Sequence, residues 1–130
     1  IMKVFVYFNL HKHCFSVKAL EGQDKGRVIA HAMDVVLFGP TFKVSKAGRE
    51  RVLRERKKHV HAGVVGDWDP CQYKPARTVE LWATGGRAVT YNPYRYETFV
   101  YKATEAPVDD QPRYAGLHSD GTRATMWALR

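Results

Sequence analysis

The chain has 130 residues, 45% of them hydrophobic and 12% aromatic, and carries 21 Lys and Arg against 13 Asp and Glu for a formal net charge of +8. A chain of this length buries roughly two-thirds of its unfolded surface, so one domain spanning residues 1–130 is expected to fold without a disulfide or metal. Two distant cysteines, Cys14 and Cys71, form no disulfide framework, and no apolar run approaches the roughly 18 residues that cross a bilayer. Secreted disulfide scaffolds and helical membrane proteins are therefore excluded.

Residues 3–9 (KVFVYFN) place Val4, Val6 and Phe8 on one side and Phe5 and Tyr7 on the other, the pattern of a well-buried strand. Met2 reads as the native start, with Ile1 appended, and no export leader precedes it. Asn9 to His13 reads as a turn into a second, half-buried strand, Cys14 to Leu20, which pairs with the first as a hairpin. Glu21 to Gly26 reads as another turn. Arg27 to Ala32 and Val35 to Phe38 read as strands, the latter interrupted by Gly39-Pro40. Ser45 offers an N-cap to a helix from Lys46 to about Lys58, whose narrow apolar stripe (Val44, Ala47, Gly48, Val52) suits a helix lying on a sheet.

Val60 to Val65 resumes a strand pattern, and Asp67 to Pro75 reads as an irregular loop. Val79 to Ala83 and Arg87 to Tyr91 flank a Gly85-Gly86 hairpin turn, Phe99 to Lys102 forms a further strand, and Ala106 to Pro112 is an acidic loop. Asp120-Gly121 marks a hairpin between Tyr114 to His118 and Arg123 to Leu129. The expected fold is α+β, a mostly antiparallel sheet of about eight short strands with one basic surface helix.

From Lys43 to Lys58 there are eight Lys or Arg against Glu50 and Glu55. Most of the net charge sits in these sixteen residues. A solvated helix ordinarily balances its charges at i,i+4 spacing, whereas an unbalanced cluster of planar guanidinium groups matches phosphate. Lys46, Arg49, Arg51, Arg54, Arg56, Lys57 and Lys58 are accordingly expected to contact an anionic ligand.

Tyr94, Arg95 and Tyr96, within the run Tyr91 to Tyr96, interleave rings with a cation in the manner that stacks bases, although core and edge packing explains such runs more often. His11-x-His13 and His59-x-His61 have the period-2 spacing that turns two rings to one face of a strand. No neighbouring carboxylate completes a familiar metal motif, so His59 and His61 are assigned as ligand contacts. No metal, cofactor or catalytic residue is assigned, and the cysteines read as inert buried thiols. Gly63 and Gly66 follow a helix instead of preceding one, which fits neither phosphate-loop fingerprint and leaves a simple turn.

The stretches NLHKHCFSVKALEG, KGRVIAHA, TFKVSKAGRERVLRERKKHVHAGVVG and YNPYRY resemble a family of short proteins encoded by tailed bacteriophages. The resemblance carries over no catalytic or binding residue. It implies expression in the cytoplasm of a bacterial host and, by analogy with other small accessory phage proteins, action against a host defence system. Together the readings give a basic accessory protein that binds nucleic acid or a nucleotide, with no membrane association. Two alternatives stand beside it: a histidine-dependent nuclease or phosphodiesterase using His59 or His61 as base, and an inhibitor of a host protein partner. A homo-oligomer is compatible with each.

Overall fold

The computed structural model describes residues 1–70, 85–108 and 111–130. The expected first hairpin forms from β1 (Met2–Asn9) and β2 (Cys14–Ala19), with Val4 opposite Ala19, Val6 opposite Val17 and Phe8 opposite Phe15. Asn9 makes the turn without a glycine. Its Oδ1 accepts the His11 and Lys12 amides at 3.0 and 3.1 Å, and His13 takes a left-handed backbone at φ 53°.

The chain continues through β3 (Val28–Ala32), β4 (Asp34–Val44), α1 (Lys46–Glu55) and β5 (Ala62–Trp68), then β6 (Arg87–Thr90), β7 (Val100–Tyr101), β8 (Tyr114–Ser119) and β9 (Ala124–Leu129). All nine strands belong to one sheet in the order β3-β2-β1-β5-β4-β8-β9-β6-β7, and each neighbouring pair is antiparallel. Val17 of β2, Val64 of β5, Leu117 of β8 and Tyr101 of β7 share one core cluster, so the sheet curls until distant strands face each other. Ser119 at the end of β8 closes the curl by donating its hydroxyl to the His13 carbonyl at 2.6 Å. Each fully buried Val, Leu or Phe in this cluster contributes roughly 1.5–3 kcal/mol of transfer free energy.

The expected mostly antiparallel sheet with one helix is found, with nine strands and one helix among the described residues, which makes the fold mainly β rather than α+β. Gly39-Pro40 does not end a strand. Instead the β4 pairing with β5 shifts register between Phe38 and Thr41, with Gly39 at φ 56°, so the strand bends past the proline and continues to Val44. Gly63 and Gly66 are not a turn either, because both lie inside β5. A Cβ on Gly63 would stand 2.5 Å from the Val6 carbonyl oxygen and 2.6 Å from the Phe5 ring, so close strand packing requires this glycine.

The helix is shorter than expected. Ser45 caps it as predicted, its hydroxyl accepting the Gly48 amide at 3.1 Å, but Arg56 adopts φ 55° and ends the helix after Glu55, leaving Lys57 and Lys58 outside it. Val52 is its buried residue, while Ala47 is exposed. The expected strand at Val79 to Ala83, the first arm of its hairpin, Cys71 and the middle of the acidic loop lie outside the described residues. Cys14 is a buried free thiol. No helix among the described residues is long and apolar enough to cross a membrane.

Candidate functional site

Three contacts bring the basic segment against the aromatic turn. The Ser45 amide donates to the His61 carbonyl at 2.7 Å, which ties the start of α1 to the strand beside it. Gly48 then packs directly on His61: an added Cβ would lie 2.6 Å from the histidine Cβ. Arg49 projects from the next position, and its Nε donates to the carbonyls of Pro93 and Tyr96, both at 3.0 Å. Asn92 shapes that turn from within, accepting the Tyr94 amide on Oδ1 at 3.0 Å and the Tyr96 amide on its carbonyl at 2.8 Å.

Between them sits a coupled pair. His61 Nδ1 lies 2.8 Å from the His59 carbonyl and Nε2 lies 2.7 Å from the Tyr91 hydroxyl. A carbonyl only accepts, so Nδ1 carries a proton; in the neutral imidazole Nε2 is then the acceptor, and Tyr91 donates its hydroxyl proton to it. Burial pushes the Tyr91 phenol up from its ordinary value, opposed by the charge of Arg49. A run of ring contacts, Phe42 to Phe99 at 5.2 Å, Phe99 to Tyr91 at 5.1 Å and Tyr91 to His61 at 5.5 Å, anchors the pair to the core.

His61 and Tyr91 form part of the wall of a cavity of about 920 Å³, opening at one end of the curled sheet. Its floor is apolar: Phe15 and Val64 are buried at 1% exposure and Leu117 at 0%. Leu10, Val60 and Tyr94 also line it and are 49%, 62% and 59% exposed, which places large apolar side chains at the mouth. Arg56, Lys58, His11 and His59 supply its basic groups, and no Asp or Glu stands among the described lining residues. That volume lies in the range of small-molecule sites, roughly 300–1,000 Å³.

Of the predicted contacts, the structure brings Arg56, Lys58, His59, His61 and Tyr94 together around this cavity. It does not bring the others there. Arg49 is engaged with backbone carbonyls, and Arg51 pairs with Glu55 at 2.6 Å. The Arg51 hydrogen bond holds the Glu55 carboxyl below its ordinary value. Arg95 and Tyr96 both bond to Glu105, and that bond raises the Tyr96 phenol. Lys46, Arg54 and Lys57 are exposed outside the cavity and make no ion pair among the described residues.

The histidine spacing worked differently from the strand reading. His11 and His13 lie in the β1–β2 turn, and His59 and His61 precede β5, so neither pair shares a strand face. His59 Nε2 is 3.5 Å from Glu55 and makes no hydrogen bond, and no metal-holding cluster of His, Cys, Asp or Glu occurs among the described residues. Tyr91, Asn92, Leu10 and Val60 are among the lining residues that site prediction missed. Tyr91 lay in the aromatic run and could have been found there; Leu10 and Val60 carry no local signal.

A family model described as Mycobacterium phage L5 gene 82 protein matches residues 1–124. The Gene 82 protein of Mycobacterium phage L5 is 44% identical to the chain over 129 residues, covering 95% of each. No solved structure matches significantly. The resemblance to short phage proteins, first visible in NLHKH and VHAGVVG, thus holds along nearly the whole sequence, and the chain belongs to the family of Mycobacterium phage L5 gene 82 protein.

Proposed function

We propose that this protein is a binding protein for a compact anionic ligand with an aromatic body, a nucleotide, held in the cavity with its phosphate at Arg56 and Lys58. One observation carries the reading: a cavity of ligand size has an apolar floor and two cations at its mouth, with no carboxylate among its described lining residues. Apolar walls with a few directed polar groups are the usual make-up of a small-molecule site, and guanidinium is suited to phosphate. Exposed Tyr94 offers a ring face at the mouth for stacking. In a phage protein acting inside its host, capture of a nucleotide signal used in defence fits this chemistry.

Exposed Lys46, Arg54 and Lys57 support a second reading, in which the cavity takes one base of a nucleic acid whose backbone runs over the helix. Salt separates the two. Polymer retention falls steeply with ionic strength, whereas uptake of one mononucleotide per chain falls far less. Both ring nitrogens of His61 are engaged in hydrogen bonds, so the enzymatic alternative rests on His59 as base. Calorimetric titration with 5′-mononucleotides, cyclic nucleotides and short oligonucleotides at low and high salt tests the proposal. Stoichiometric, salt-tolerant binding of a mononucleotide or cyclic nucleotide is expected; no binding of any probe at low salt would remove it.

A further inference from the structure

The fixed proton between His61 and Tyr91 limits what the cavity can recognise. His61 Nδ1 donates to the His59 carbonyl, so in the neutral ring Nε2 accepts, and the Tyr91 hydroxyl proton points to that nitrogen. Both residues line the cavity. The Tyr91 oxygen therefore retains lone pairs but has no proton to offer, and toward a ligand it acts as an acceptor. A phenol free to rotate would serve either a donor or an acceptor; this one serves only a donor. Its ring is held by contact with Phe99 and its hydroxyl by His61, so presenting the proton elsewhere would break a bond at 2.7 Å.

We infer that Tyr91 is a specificity-determining residue selecting nucleotides whose base carries an exocyclic amino group. This rests on the proposal that the cavity holds a nucleotide base. Leaving the Tyr91 lone pairs without a partner in a largely apolar site disfavours a base that lacks the amine.

The test compares nucleotide pairs that differ only in that group: adenosine against purine riboside 5′-monophosphate, guanosine against inosine 5′-monophosphate, and cytidine 5′-monophosphate against its 4-deamino counterpart. For the pair that fits the cavity, the amine-bearing member is expected to bind about five- to tenfold more tightly to the wild-type protein, the ratio set by one neutral hydrogen bond. Tyr91→Phe, with its folding checked by Tm, is expected to bring the two members to equal affinity while still binding both. Equal binding of every pair by the wild type would overturn the inference and leave nucleotide binding standing, as would a preference that survives Tyr91→Phe. Failure of every mononucleotide to bind would overturn both. The wild-type comparison decides the matter should the variant not fold.

Discussion

At the start of the helix Arg49 reaches two backbone carbonyls of the 92–96 turn, and two residues later Arg51 pairs with Glu55. Past its end Arg56 and Lys58 stand at a cavity mouth and meet no carboxylate among the described residues. The side chains are of the same kind and lie within ten residues. What separates them is the acceptor each finds: the first two are satisfied inside the chain, and the last two keep their charge for something outside it. Formal charge density in a segment thus measures the supply of cations, and only the fold shows which remain available.

The contrast is most open to attack through affinity. Replacing both Arg56 and Lys58 with Ala is expected to lower nucleotide affinity about 100-fold, since hydrogen bonds from charged groups contribute roughly 1.5 kcal/mol or more each, with Tm unchanged. Arg49→Ala should behave in the opposite way. It leaves two carbonyls without their donor and releases the turn that carries Tyr94, for a loss of about 2 kcal/mol of stability, read in thermal melts as a fall of roughly 6–10 °C.

A smaller effect is expected from pH. The folded chain holds the Tyr91 proton above the ordinary tyrosine value, so the stability this gives is present below about pH 10 and is lost as pH rises through the folded value. Ultraviolet titration should show two tyrosines, Tyr91 and Tyr96, ionising late, and Tyr91→Phe should remove one of those late steps. Smallest of all, Arg51→Ala breaks only an exposed pair, and its melting curve should overlay that of the wild type.

Much of the fold could be read from residues alone where the signal was local. Alternation in KVFVYFN and the turn at Asn9 to His13 pointed to the first hairpin, Asp120-Gly121 to the last, and Ser45 to the helix start. The helix end escaped because a non-glycine residue, Arg56, takes the left-handed position that glycine usually marks. The length of β4 escaped because a register shift accommodates Pro40 within a strand. In the site, the basic segment and the tyrosine run were each visible, yet their convergence depends on Arg49 bonding to carbonyls 44 and 47 residues away. Backbone acceptors have no residue signature, so no reading of spacing could have removed Arg49 from the ligand contacts.

Amide and side-chain NMR spectra recorded during titration with a 5′-mononucleotide test the account most directly. The prediction is saturable shifts at His61, Tyr91, Tyr94, Arg56 and Lys58, with Lys46 and Arg54 unmoved. Shifts confined to Lys46, Arg54 and Lys57, or none at any of these positions, would contradict it.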